Sequence, residues 1–288
     1  MSNEYWLDPR LVRARFNRAA DGYDAAAAVI TELRQRLLER LDVVRLAPER
    51  VLDLGAGTGT GTRALKNRYP KAQVLGLDSA HRMLLQARAQ RGWLRPFDLV
   101  CADAAALPLR SAAFDLVFSH LMLPWCNSLD AVFEEVARVL RPGGLFSFSS
   151  LGPDTGAELR RLWRSLDASV HVHGFMDMHD VGDALIRTGF SDPVMDVETV
   201  TVTYPTVEHL VREFRQLGTT NLAAGRPRGL GSRTKSQRLA SAYQALKRAD
   251  DALPVTVEVV YGHAWSVQRP LRVRDGEVRV PLERIGRR

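Results

Sequence analysis

Val51-Leu52-Asp53-Leu54-Gly55-Ala56-Gly57-Thr58-Gly59-Thr60 runs an apolar, strand-like segment into three glycines at alternate positions, ahead of a helix expected over Thr62–Tyr69. Glycine adopts positive φ without strain and carries no Cβ. Three of them after a buried strand therefore predict a chain that turns tightly and admits a ligand against its backbone. Short apolar runs recur at Arg50–Leu54, Gln73–Leu77, Phe97–Cys101, Phe114–Ser119 and Leu145–Ser150, each separated by a stretch long enough for a helix. Such alternation predicts βαβ units, an α/β fold and a mostly parallel, Rossmann-like sheet. The dinucleotide fingerprint G-x-G-x-x-G would need glycine where Thr60 stands, and the Gly59-x-Gly61-x-x-Ala64 match begins too far past the strand, so a pyrophosphate cradle is disfavoured.

The second strand, Val74-Leu75-Gly76-Leu77-Asp78, ends in a carboxylate 25 residues after Asp53. A carboxylate at that strand tip is placed to accept hydrogen bonds from both ribose hydroxyls of an adenosine-containing ligand. The third run ends in Cys101-Ala102-Asp103-Ala104, the fourth in Phe118-Ser119-His120, and Arg141-Pro142-Gly143-Gly144 turns into the fifth.

Together these segments, from Arg50 to Ser150, resemble class I S-adenosylmethionine-dependent methyltransferases. The resemblance implies a seven-stranded sheet with its last strand antiparallel. It also implies S-adenosyl-L-methionine as cofactor, S-adenosyl-L-homocysteine as product, and no metal. Gly55, Gly57 and Gly59, with Ala56, would line the loop at the methionine end, and Asp53 would help hold the amino group. Asp78, beside Ser79, would bind the ribose, Asp103 and Ala104 would meet the adenine edge, and His120 would sit near the sulfonium.

Further segments narrow the resemblance. Arg15-Phe16-Asn17-Arg18-Ala19-Ala20-Asp21-Gly22-Tyr23-Asp24, Leu123-Pro124-Trp125-Cys126, Phe175–Leu185 and Glu258–Trp265 look like the malonyl-acyl-carrier-protein O-methyltransferases of biotin synthesis. That family implies a malonyl thioester on an acyl carrier protein as the methyl acceptor. Tyr23 and Trp125 would close the reacting site alongside His120, and Arg18, His171 and His173 would be candidates to orient the acceptor carboxylate. The stretch from Thr203-Tyr204-Pro205 to Asn221 also resembles a mitochondrial complex I assembly factor linked to arginine hydroxylation, which stands as one alternative, the other being S-adenosylmethionine-dependent methylation of another small molecule.

A malonyl carboxylate is ionised at neutral pH, since ordinary carboxyl groups titrate near about 4. Its methylation needs proximity, alignment and exclusion of water rather than a general base.

Asp8-Pro9 predicts an N-capped first helix over Leu11–Tyr23, and a second is expected over Ala25–Val43. Residues 1–47 thus read as a helical lid, 48–265 as the methyltransferase domain and 266–288 as a polar tail. Late strands are expected at Val194–Tyr204 and Val255–Trp265, with a basic helical insertion over 205–253 between them. The net charge of the 288 residues is +7, and residues 211–250 hold nine Lys and Arg against two acids, after a stretch, 151–210, with four against ten. Such a block suggests an anionic partner, and Arg226, Arg228, Arg233, Lys235 and Arg238 are candidates to meet an acidic carrier protein and the phosphate of its pantetheine arm.

No apolar run is long enough for a membrane helix and the first residues do not read as a secretory signal, so a cytoplasmic protein is expected. Cys101 and Cys126 lack C-x-x-C spacing and read as small core residues rather than a disulfide or metal pair. Nucleic-acid methylation is disfavoured because the chain lacks the N/D-P-P-Y/F tetrad and the Pro-Cys nucleophile pair.

Overall fold

The computed structural model describes residues 3–227, 233–244, 246–247 and 252–267. Three helices open the chain: α1 Pro9–Ala19, α2 Tyr23–Ala26 and α3 Ala28–Glu39. Then β1 Arg50–Leu54, α4 Thr60–Arg68, β2 Gln73–Asp78, α5 His81–Ala89, β3 Asp98–Cys101 and β4 Phe114–His120 alternate. Next come α6 Leu129–Val139, β5 Leu140–Leu151, α7 Ala157–Arg164, α8 Met178–Arg187 and β6 Phe190–Tyr204. Last are α9 Val207–Gln216, α10 Arg233–Gln244 and β7 Leu253–Ser266.

The seven strands form one sheet in the order β3-β2-β1-β4-β5-β7-β6. Pairing is parallel from β3 through β5, and β7 runs antiparallel between β5 and β6, as expected. The order reverses direction at β1, whose neighbours are β2 and β4, so the carboxyl ends of β1, β2 and β4 open a crevice where ligands bind in such sheets.

Each sheet face is covered by helices whose apolar residues recur at three- and four-residue spacing. On one face, α6 buries Leu129, Val132, Phe133, Val136 and Val139 against Phe146 and Phe148 of β5, and Ser128 caps it by accepting from the Ala131 N–H at 3.2 Å. On the other, Leu33, Leu37 and Leu38 of α3 pack on Val51, Leu116 and Phe118. Close interstrand packing explains Gly262: a Cβ there would lie 2.3 Å from the ring of Phe148, its register partner.

Several expectations are revised. The Asp8 cap is present, its Oδ1 accepting from the Arg10 N–H at 2.9 Å. The helix expected over Ala25–Val43 is interrupted at Ala27 and ends in a 3-10 turn, Arg40–Val43. The segment expected as a lid divides physically, since α3 belongs to the core and is tied to β6 by Arg36–Glu198 and Arg40–Asp196 ion pairs. No helix separates β3 from β4, because Asp103, Pro108 and a chain of short turns carry the connection. Cys101 is exposed on the edge strand β3, not in the core, and Cys126 is half-buried. The tail from residue 268 and Arg228 lie outside the described residues. No helix among the described residues is long and apolar enough to cross a membrane.

Candidate active site

The glycine loop leaves β1 and is pinned across the end of β2, where the Leu77 carbonyl accepts from the N–H groups of Gly55 at 2.8 Å and Ala56 at 3.0 Å. All three glycines have positive φ, 85° at Gly55, 54° at Gly57 and 81° at Gly59, but they differ in what surrounds them. A Cβ on Gly55 would lie 2.5 Å from Met122 Cβ and one on Gly59 would lie 2.6 Å from Ala87 Cβ, so these two permit close packing. At Gly57 no atom lies within 4 Å of the same position, which opens on a cavity of about 730 Å³. Of the three, only the middle glycine has open space where a side chain would stand.

Asp78 sits at the lip of that space. Its Oδ2 accepts from the Gly57 N–H at 2.9 Å and its Oδ1 from the Ala80 N–H at 2.7 Å, which fixes the carboxylate while leaving each oxygen a further lone pair. Burial raises its pKa, and the backbone donors oppose that shift. Ser79, Ala56 and Ala104 line the cavity beside it. Asp103 also lines the cavity but is exposed, its Oδ1 accepting from the Ala105 N–H at 2.9 Å.

Asp53 lies beneath the loop, 2 % exposed, and accepts from Thr62 Oγ1 at 2.6 Å. Burial pushes its pKa up to about 6, against the Thr62 hydrogen bond and the nearby Arg34 charge. Arg34 of α3 donates to Thr60 Oγ1 at 2.8 Å and is the single Lys or Arg among the described residues that line the cavity. Opposite charges thus flank the glycine loop, and the sequence had suggested only the acidic one.

His120 is placed where expected, at the end of β4, but its ring is fully used. Nε2 lies 2.9 Å from the Ile30 carbonyl, which can only accept, so Nε2 carries the proton and Nδ1 accepts from Ser149 Oγ at 2.8 Å. Burial holds its pKa down at about 3. Its role as a catalytic group is corrected accordingly: a neutral ring bonded at both nitrogens fastens α3 to the sheet and has no site from which to move a proton.

Tyr23 and Trp125 both line the cavity. Tyr23 packs with Ala80 and Met83, and burial, then the charges of Asp78 and Asp24, raises the phenol pKa. Trp125 stacks edge-on against Phe16 at 5.0 Å and His173 at 5.1 Å, so α1, the Leu123–Trp125 turn and the segment after α7 share one wall.

The two late histidines part company. His173 is 7 % exposed, its Nε2 accepts from the Leu222 N–H at 3.4 Å and it bonds the Thr220 backbone, while burial lowers its pKa to about 4. Both interactions are internal, so its expected hold on an acceptor carboxylate is replaced by a structural one. His171 lies parallel to Trp163 at 3.6 Å, with Nε2 2.8 Å from Asp167 Oδ1. Arg18 is exposed and is not among the residues lining the cavity; Arg226 donates to the carbonyls of Leu222 at 3.2 Å and Ala223 at 3.1 Å. Arg233 opens α10.

Three contributors escaped the sequence reading. Arg34 lies in a helix read as lid, Met122 enters through its contact with Gly55, and Asn127 anchors the N-terminal segment through its side-chain amide. A signal existed only for Arg34, as a lone cation on the apolar face of α3.

A methyltransferase-domain family matches residues 52–148. The malonyl-[acyl-carrier protein] O-methyltransferase of Laribacter hongkongensis is 48% identical over 284 residues, covering 96% of this chain and 95% of that protein. The Methylovorus enzyme of the same name is 47% identical over 281 residues, with 96% and 95% coverage. Among solved structures, the YcgJ protein of Bacillus subtilis superposes with a TM-score of 0.58 at 16% identity, over 82% of this chain and 99% of that one. The Haemonchus contortus phosphoethanolamine N-methyltransferase 2, solved with S-adenosyl-L-methionine, gives 0.54 at 19% identity, over 88% and 57%. Those two share the fold. Identity near one half, sustained over almost the whole length of both partners, makes this chain a member of the malonyl-[acyl-carrier protein] O-methyltransferase family.

Proposed function

We propose that the chain methylates the free carboxylate of malonyl-acyl carrier protein, using S-adenosyl-L-methionine, at an early step of biotin synthesis. The observation that carries this reading is the pairing of a nucleoside-type cradle with neutral, doubly bonded His120 and His173 in the same cavity. A carboxylate acceptor is already a nucleophile, so a site whose two buried histidines are both engaged in internal hydrogen bonds suits it.

The cavity's groups fit the cofactor by charge and shape. Gly57 leaves room where a Cβ would intrude, and Asp78 offers lone pairs to the ribose hydroxyls. Asp103 and Ala104 stand beside the place for the adenine, and Arg34 and Asp53 match the carboxylate and ammonium of an amino-acid end. When bound, S-adenosyl-L-methionine supplies a methyl group on a positively charged sulfur. Tyr23, Phe16 and Trp125 form an apolar wall that excludes water from the acceptor carboxylate and so keeps it nucleophilic. A carrier-bound biosynthetic substrate of this kind supports a cytoplasmic site for the reaction.

The test is incubation with methyl-labelled S-adenosylmethionine and malonyl-carrier protein. A base-labile methyl ester on the carrier is expected. No methyl transfer to the carrier, with an arginine-bearing protein gaining oxygen when iron and an oxidant are supplied, would favour the arginine-hydroxylase alternative.

A further inference from the structure

Some arginines of this protein are neutralised: Arg138 by Glu135, Arg141 by Asp115, Arg187 by Asp130, Arg82 by Asp21. Many more make no salt bridge among the described residues, Arg13, Arg45 and Arg212 among them. Four others of this kind, Arg15 and Arg18 of α1, Arg215 in the last turn of α9 and Arg226, are brought together. Arg15 and Arg18 are three residues apart on one helix and so share a face. The end of α9 abuts that face, since a Cβ on Gly218 would lie 3.2 Å from Ala19 Cβ and 3.5 Å from Arg15 Cγ. Arg226 is drawn to the N-terminal segment by a bridge of Leu7 to Ala223, by Ala224 N–H donating to the Trp6 carbonyl at 2.8 Å and by Gly225 N–H donating to the Glu4 carbonyl at 2.8 Å. Burial lowers the pKa of Arg15, and the charges of Arg18, Arg226 and Arg215 lower it further.

The same segments line the cavity. Phe16 follows Arg15, and Leu217, Thr219, Thr220 and Asn221 lie between Arg215 and Arg226. Thr220 Oγ1 is buried on this wall without a hydrogen-bond partner among the described residues. Arg15 repels the other three guanidiniums, a repulsion that an anion seated among them would relieve, and planar guanidiniums favour phosphate oxygens.

We propose that Arg15, Arg18, Arg215 and Arg226 form a collar at the cavity entrance that binds the phosphate of a carrier protein's pantetheine arm, with Thr220 offered to a polar group of the arm inside. The collar rests on the acyl-carrier reading above and moves the anion contact from the α10 face to the cleft between α1 and α9.

Four probes test it: pantetheine and 4′-phosphopantetheine for binding, and their malonyl thioesters for turnover, each with the full chain and with the double variant Arg15→Gln/Arg215→Gln. The phosphorylated thioester is expected to have a KM about tenfold or more below that of the unphosphorylated one. The double variant should erase most of that difference and leave the affinity for S-adenosylhomocysteine unchanged, which controls for folding. Calorimetry should find salt-sensitive binding of 4′-phosphopantetheine that pantetheine lacks. Equal KM values for the two thioesters, or binding of 4′-phosphopantetheine unaffected by the substitutions, would overturn the collar even if both thioesters are methylated. Arginine-dependent phosphopantetheine binding with no methylation of either thioester would keep the collar and sink the acceptor assignment.

Discussion

The side chain of Asn127 and the backbone of Leu7, 120 residues apart, exchange two hydrogen bonds: the Leu7 N–H donates to Oδ1 at 2.8 Å, and Nδ2 donates to the Leu7 carbonyl at 2.8 Å. The pair ties the segment that precedes α1 to the loop after β4. It thereby closes the wall that holds Phe16 and Trp125.

Asn127→Ala removes both bonds and frees Leu7 to bond water. A loss of about 1–2 kcal/mol is expected, concentrated at the N-terminal segment. Hydrogen exchange or limited proteolysis should show residues 3–22 opening before the sheet. Uniform protection in the variant would show that the clasp is redundant.

Gly57→Ala and Gly59→Ala should separate binding from folding. Both place alanine at positive φ, which costs about 1–2 kcal/mol. At Gly59 the new methyl also meets Ala87, so a total of roughly 2–4 kcal/mol and a lower Tm are expected. At Gly57 the methyl enters the cavity instead, and the larger effect should be on S-adenosylhomocysteine affinity, read by calorimetry. Equal losses of affinity relative to stability in the two variants would contradict the division of roles.

Asp78→Ala should weaken the same ligand by about 1.5–3 kcal/mol, roughly a ten- to hundredfold rise in Kd, because charge-assisted hydrogen bonds are lost. Unchanged affinity would remove Asp78 from the ribose position.

Stability should fall on acidification. His120 and His173 titrate at about 3 and about 4 in the fold, below the ordinary 6.5, so from near pH 6.5 downward the unfolded chain binds protons that the native state refuses. Each contributes about 1.4 kcal/mol per pH unit in that window, and the loss is complete only below its folded value. Asp53, raised to about 6, acts oppositely, binding its proton in the native state first and adding stability as pH falls from about 6 toward its unfolded value; Asp78, also raised, works in the same sense. His173→Gln isolates one histidine: urea titrations at several pH values between 6.5 and 4 should give a slope shallower than the parent by about one proton. Parallel curves would mean that His173 is protonated in the folded protein.

Local chemistry decided much of the fold and part of the site. The apolar runs, the glycine spacing and the acids at Asp53, Asp78 and Asp103 are properties of short segments, and each lies at the strand end its own sequence dictates. The Asp8 cap and the position of the late strands follow from the same short-range rules. Which face a helix buries and which distant groups it meets are not short-range properties. Packing of α3 on the sheet put Arg34 beside Asp53 and joined Ile30 to His120, turning an expected lid helix into core and an expected catalytic ring into a strut. The approach of α9 to α1 gathered arginines that stand some 200 residues apart in the chain, while the edge position of β3 left Cys101 exposed. Sequence thus determined where the backbone turns and which strand tips carry acids, because those depend on neighbours in the chain. Tertiary structure alone decided charge pairing, tautomer and exposure, because burial and partner are set by residues that meet only once the chain has closed on itself.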